Sequence, residues 1–316
     1  SYITIDGGTT NTRITLFANG KPMETVKLSI GANFGAEHSE KYKSEIRKAI
    51  DRFSGADPFR IIASGMITSE DGLYNLNHIC APAGIKELHN AIREVRLPEI
   101  SDIPFVFIPG IKTVGESFAE TDMMRGEETE LFGLAQERGD CLYILPGSHS
   151  KLIETDADCR ISHFSTYMTG EMISALSQHT ILKSAVDLTQ SEVDENYLLE
   201  GYHTSFRMGI NAALFKTRIL KNIFSASNLS AYSFFLGAVL SGEINAVLKT
   251  AANRVVIGGK AQIKAAEVLL LKRLSEKEVI CVSDEAASAA PAVGAVRIFE
   301  YGEIKLCIYM KYFKME

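Results

Sequence analysis

The sequence predicts an α/β protein made of two similar halves, each a mixed five-stranded sheet with flanking helices. Three observations point there. A run of three short strands opens the chain, the same run recurs from Cys141, and each run is followed by helix-period segments and isolated apolar strands.

In the first half the strands are Tyr2–Asp6, Arg13–Ala18 and Met23–Ser29. A Gly/Thr turn separates the first two, and Asn19-Gly20, a strong hairpin signal, separates the next two. Tyr42, Ile46, Ala49, Ile50 and Phe53 then share one helical face, and apolar strands follow at Arg60–Ala63 and Phe105–Ile108. In the second half the strands are Leu142–Leu145, Lys151–Glu154 and Ile161–Tyr167. Helical stretches follow Gly170 and span Phe206–Phe224, and strands are expected at Val255–Ile257 and Val279–Val282. The duplication divides the chain into residues 1–139 and 140–316, with a hinge at Arg138–Cys141. The stretch after Tyr301 carries no motif.

With 316 residues, 46% of them hydrophobic, the chain can bury a substantial core. A formal net charge of -6 offers no broad basic surface for a phosphate backbone, so nucleic acid is not expected as a partner. The five cysteines are odd in number and scattered, which predicts neither a zinc site nor a disulfide framework and fits a reducing cytoplasm. The chain opens directly on a strand, and no run is read as reaching the roughly 18 apolar residues of a membrane span. Secretion and membrane insertion are therefore not expected.

Six segments carry the chemistry. Asp6-Gly7-Gly8-Thr9-Thr10-Asn11-Thr12-Arg13 sits on a tight turn between strands, where glycines expose N–H groups and the threonines and Asn11 add donors for phosphate oxygens. Asp6, at the strand end, is placed to hold the water shell of a magnesium ion on ATP. Pro146-Gly147-Ser148-His149-Ser150-Lys151 occupies the equivalent turn of the second half. Either loop alone is also an ordinary turn; their repetition at matching places suggests a phosphate clamp. Met124-Arg125-Gly126-Glu127-Glu128-Thr129-Glu130-Leu131-Phe132-Gly133 opens an amphipathic helix and supplies carboxylates and a cation, although acids in a first helical turn are also favoured by the helix dipole. Met168-Thr169-Gly170-Glu171 follows the third strand of the second half, with Thr169 a candidate N-cap. Ile257-Gly258-Gly259-Lys260-Ala261 would let a flat adenine approach bare backbone, and the small residues of Asp284–Ala295 suit a close-packed or hinge helix. The Walker pattern, a dinucleotide-binding glycine fingerprint, a G-x-S-x-G elbow and an H-E-x-x-H helix are all missing from the sequence.

This ordered set resembles the actin, hexokinase and Hsp70 superfamily, whose halves are ribonuclease H-like and hold ATP in the cleft between them. Within it, Met124–Gly133, Pro146–Lys151 and Met168–Glu171 are similar to the 2-dehydro-3-deoxygalactonokinase family, a likeness running from Asp6 to about Gly294. The resemblance implies transfer of the ATP γ-phosphate to the terminal hydroxyl of 2-dehydro-3-deoxy-D-galactonate, in galactonate breakdown, with Mg²⁺ as cofactor. It implies nucleotide contacts from Asp6, Gly7, Gly8, Thr9, Thr10, Asn11, Gly147, Ser148, His149, Gly258 and Gly259. For the acidic substrate the cations are Arg125 and Lys151. Four acids compete for the base: Glu127, Glu128, Glu130 and Glu171. Hexokinase-like relatives carry it at the start of the helix before the second phosphate loop, which favours Glu127 or Glu128, and Gly126 leaves room beside Glu127. A kinase of another hexose or N-acetylhexosamine, and an actin- or Hsp70-like nucleotide switch, are the alternatives. The expected partner is a small-molecule sugar acid, with no nucleic acid or membrane and a homodimer left open.

Overall fold

The computed structural model describes residues 1–32, 36–135, 140–259 and 261–301. The stretch after Tyr301, Lys260, and Arg138 and Gly139 of the expected hinge lie outside the described residues.

The chain opens with β1 (Tyr2–Gly7), β2 (Thr12–Ala18) and β3 (Lys21–Leu28), followed by α1 (Ala36–Asp51), β4 (Ile61–Gly65), β5 (Ile79–Cys80), α2 (Ile85–Ala91), β6 (Arg93–Leu97), β7 (Ser101–Phe107), β8 (Ile111–Thr113), β9 (Asp122–Met124) and α3 (Glu127–Leu134). The hairpin between β2 and β3 turns at Asn19 and Gly20 with φ of 54° and 74°, the left-handed pair that an Asn-Gly turn adopts. β1 pairs antiparallel with β2 and parallel with β4, so it is a central strand, and Ile3 and Ile5 are buried under Tyr42, Ile46 and Ile50 of α1. The sheet order is β3-β2-β1-β4-β7-β6. One strand more than the expected five is present because β6 adds antiparallel to β7. A separate small sheet, β5-β8-β9, was not anticipated at all.

The second sheet uses β10 (Cys141–Leu145), β11 (Ser150–Thr155) and β12 (Ile161–Tyr167), then α4 (Thr169–His179), α5 (Glu195–Met208), α6 (Ile210–Asn222), α7 (Asn228–Lys249), β13 (Arg254–Ile257), α8 (Ala261–Leu274), β14 (Glu278–Cys281) and α9 (Asp284–Phe299). Its order, β12-β11-β10-β13-β14, repeats the order of the five core strands of the first sheet. This duplicated antiparallel-then-parallel topology is the actin-like fold. The long helix expected over Phe206–Phe224 is two helices, broken at Gly209, whose φ of 83° ends α5.

Helix α7 is buried nearly all round and forms the centre of the second core with Leu142, Ile144, Leu198 and Ile257. By length and composition it could cross a membrane, which corrects the expectation that no run does; 78% of its most apolar window is buried within the protein, as in a core helix.

The chain forms two compact units. Of the described residues, 1–32, 36–135, Thr155–His163 and 285–301 make the first, and Asp140–Glu154 with Phe164–Asp284 the second. A single cut between residues 139 and 140 therefore does not describe them. Ile161 bridges to Ala83 through backbone hydrogen bonds of 3.0 and 2.8 Å, tying the 155–163 turn to the first unit. Helix α9 joins the same unit because its small residues let it press on α3: a Cβ on Gly294 would lie 1.8 Å from the Thr129 carbonyl oxygen.

Candidate active site

In the first unit, the ends of β1 and β4 and the start of α3 converge on glycines. A Cβ on Gly65 would lie 2.5 Å from the Gly7 oxygen, and one on Gly126 would lie 3.2 Å from the Gly65 Cα and 4.0 Å from Asp6 Oδ1. Gly126, the residue before α3, holds φ at 112°, a conformation open to glycine and strained for other residues. Thr129 Oγ1 donates to the Gly126 carbonyl at 2.6 Å and lies 3.3 Å from Ser64 Oγ, fixing the helix start to β4. The result brings Asp6, Glu127 and Glu130 into mutual electrostatic range.

The carboxylates differ by environment. Asp6 Oδ2 accepts from Arg13 Nη1 at 3.0 Å across the β1–β2 hairpin. Burial raises the Asp6 carboxyl above its ordinary value, with Arg13 opposing and Glu127 adding to the rise. Glu128 is fully buried and accepts the Gly126 N–H on both oxygens, at 2.8 and 2.9 Å. Burial, reinforced by the charge of Glu127, pushes it up to about 8. Glu130 reaches about 8 by burial and by the charges of Asp6 and Glu127. Glu127 is half-buried, and its Oε2 accepts the Arg125 N–H at 2.9 Å. Burial thus disfavours Glu128 and Glu130 as bases at neutral pH, because a general base must be deprotonated to accept a proton.

The Gly8–Asn11 turn is closed by a 2.9 Å bond from the Gly8 N–H to the Asn11 oxygen, and Gly31 packs against Gly8 and Thr9 from behind. Thr9, Thr10 and Asn11 stand exposed. Arg125 was expected to meet the substrate; its two terminal nitrogens are already engaged. Nη1 donates to the Thr68 oxygen and hydroxyl at 2.6 and 2.7 Å, and Nη2 to the Leu76 oxygen at 2.9 Å and to His78 Nδ1 at 3.3 Å.

In the second unit, Gly147, Ser148 and His149 are exposed at the β10–β11 turn. A Cβ on Gly170 would lie 2.3 Å from the Gly147 oxygen, and one on Gly259 would lie 2.8 Å from Pro146. The structure thus brings the Gly147–His149 turn, the Gly258-Gly259 segment and the start of α4 side by side, three motifs that the sequence presents far apart. His149 Nε2 lies 3.0 Å from Glu171 Oε1. Thr169 is not an N-cap: its hydroxyl donates to Glu243 Oε2 at 2.7 Å, and Ser150 donates to Glu243 Oε1 at 2.5 Å. Lys151, only 4% exposed, is buried on β11 rather than presented at the turn.

Sequence reasoning missed Arg13, His78 and Glu243. Arg13 lay inside the first motif, directly opposite Asp6 in the hairpin register. Glu243 lies in α7, a helix the sequence reading does not anticipate, where it stands as an acid among apolar residues. His78 had no local signal.

Comparison with known proteins shows the family. The family model of 2-keto-3-deoxy-galactonokinase matches residues 6–292. A Rhizobium meliloti (strain 1021) protein assigned as a 2-dehydro-3-deoxygalactonokinase is 38% identical over 128 residues, which span 40% of this chain and 40% of the relative. The 2-dehydro-3-deoxygalactonokinase of Escherichia coli (strain K12) is 24% identical over 223 residues, 71% of this chain and 69% of the relative. A crystal structure from Sinorhizobium meliloti, of a protein assigned the same activity, superposes with a TM-score of 0.74 at 22% identity, covering 95% of this chain and 99% of the other, which speaks for the fold. With its two glycine loops and its acidic helix start all falling within the matched region, this chain belongs to the 2-keto-3-deoxy-galactonokinase family.

Proposed function

We propose that the chain is a cytoplasmic, ATP- and Mg²⁺-dependent kinase that phosphorylates the terminal hydroxyl of 2-dehydro-3-deoxy-D-galactonate. The observation that carries this reading is the family match over residues 6–292, which includes the half-buried Glu127 at the start of α3. Glu127 accepts the hydroxyl proton as the oxygen attacks the γ-phosphorus, and its position is set by Gly126 behind it and by the Arg125 N–H. Glu128 supports the helix start from within: holding a proton up to about 8, it is a poor base at neutral pH.

In the second unit, Gly147, Ser148, His149, Gly258 and Gly259 receive the nucleotide, the exposed backbone of the turn supplying donors to phosphate oxygens. In the first unit, Gly7 to Asn11 serve the same purpose. Mg²⁺ on a nucleotide needs only one or two protein carboxylates beside phosphate and water. Asp6 fits that requirement: the charge of Glu127 adds to the rise of its carboxyl and its own charge adds to that of Glu130, a crowding of acids that a cation would relieve. When bound, the metal neutralises charge developing on the phosphoryl oxygens. Arg13 keeps the Asp6 carboxylate oriented.

The test is a coupled ADP-release assay across 2-keto-3-deoxy sugar acids and neutral hexoses. Strong release is expected with 2-dehydro-3-deoxy-D-galactonate and little without a sugar; a preference for neutral hexoses or N-acetylhexosamines would overturn the substrate, and sugar-independent hydrolysis would favour a nucleotide switch. Glu127→Gln should lower kcat by roughly 10²–10⁴ with nearly unchanged ATP KM. Normal turnover by that variant would remove Glu127 from the role.

A further inference from the structure

We infer that the carboxylate of the sugar acid is received on the exposed face of the small sheet β5-β8-β9 by His78 and Lys112, with Arg125 positioning His78 rather than meeting the carboxylate itself. The inference rests on the sugar-acid reading above and assigns the groups that distinguish an acid from a neutral sugar.

Register places the residues. Cys80 is paired with Lys112 and Lys112 with Met123, so the three side chains stand on one face of the sheet. That face is open: Met123 is 66% exposed. The opposite face carries Ile111 and Met124, both buried. His78 and Arg125 lie just outside β5 and β9, next to Ile79 and Met124, and meet at the level of Gly110, where the Ile79 N–H bonds the Gly110 oxygen. A Cβ on Gly110 would lie 2.7 Å from His78 Cδ2 and 3.0 Å from Nε2, so the imidazole fits only over a bare glycine. Across it the Arg125 guanidinium meets the ring, Nη2 to Nδ1, at 3.3 Å.

Chemistry follows from that contact. A guanidinium only donates, so Nδ1 accepts and the ring proton sits on Nε2. Among the described residues no acceptor is bonded to Nε2 or to Lys112 Nζ. Burial together with the charges of Arg125 and Lys112 depresses His78 to about 4, which keeps the ring neutral and the tautomer fixed at neutral pH. The partners of Arg125 in this cluster are carbonyls, a hydroxyl and the imidazole. Its nearest charged influence, Glu128, holds its own proton up to about 8. The charges of Arg125 and Lys112 thus both act on the His78 ring, and among the described residues no carboxylate is bonded to either side chain; Arg125 stands two residues before Glu127 in the chain. A six-carbon acid with its carboxylate at one end and the reacting hydroxyl at the other matches a cationic group followed by a base.

The experiment compares 2-dehydro-3-deoxygalactonate with its carboxamide, which keeps the shape and removes the charge, in the wild type, Lys112→Met and His78→Gln. Loss of one charge-assisted hydrogen bond should raise the KM for the acid about 10- to 100-fold in Lys112→Met. The carboxamide KM, the ATP KM and kcat should each stay within about twofold, since those interactions are not removed. His78→Gln, which keeps a donor, should fall between wild type and Lys112→Met. An equal rise for acid and carboxamide, or a rise confined to ATP, overturns the inference. If the wild type shows no sugar-acid-dependent ADP release, the kinase reading fails by itself. The subsite is then judged by titrating the His78 ring resonances with the acid and the carboxamide, where a shift specific to the acid supports it and equal or absent shifts refute it.

Discussion

Replacing Glu128 by Gln should remove a pH dependence of stability that the wild type carries, because this fully buried carboxyl is protonated in the folded protein over a range where it is ionised in the unfolded chain. The folded value is raised from 4.5 to about 8. Stability linked to the bound proton is therefore fully present below the unfolded value and is lost as pH rises toward the folded one. Within that window the native state holds about one proton more at this site, so unfolding free energy falls by about 1.4 kcal/mol per pH unit. Between pH 6 and pH 7.5 the wild type should lose about 2 kcal/mol relative to Glu128→Gln. The contribution of Glu130 is common to both proteins and cancels in the difference. Denaturant unfolding at several pH values reads this directly, and the kinase assay on the same variant should show kcat nearly retained. Parallel stability curves for the two proteins would show that Glu128 is ionised in the fold and would reopen its candidacy as the base.

Gly294→Ala puts a methyl group 1.8 Å from the Thr129 oxygen, so α9 and α3 must separate; a stability loss of about 1–3 kcal/mol or more and a reduced kcat are expected, and a wild-type Tm would refute the close packing. Glu243→Ala strips the acceptor from Ser150 and Thr169, leaving two buried hydroxyls unpaired at about 1–3 kcal/mol each. Because those residues flank the Gly147–His149 turn, the ATP KM should rise more than the sugar KM; equal changes in both would show general loosening instead.

What could be read from the sequence was what local rules govern. Asn19-Gly20 dictates its turn whatever surrounds it, and the repeated strand runs reappear as two sheets of the same core order. The small sheet was invisible for the opposite reason. Its strands are two or three residues long, too short for any period, and Ile79 finds Ile111 across a long separation that only the folded chain closes. The same distance hid the engagement of Arg125, whose partners Thr68 and His78 lie 57 and 47 residues earlier. A guanidinium aimed at a substrate and one clamping a loop look identical in a linear motif.

Glu127 and Glu128 make the point within a single dipeptide. Sequence gives both the same helix dipole and the same neighbours, and only the turn of about 100° between adjacent helical residues separates them. That turn buries the Glu128 carboxyl, which burial pushes up to about 8, and leaves the Glu127 side chain half-buried. Glu243 is the converse case, in which a signal was present. An acid placed in the middle of a 22-residue apolar helix can neither reach water nor remain unpaired at acceptable cost, so its presence predicts buried donors nearby. The donors turn out to be Ser150 and Thr169, the residues bounding the second glycine turn and the helix packed on it. An acid in a core helix thus leads to the Gly147–His149 turn, which the turn's own glycines mark independently.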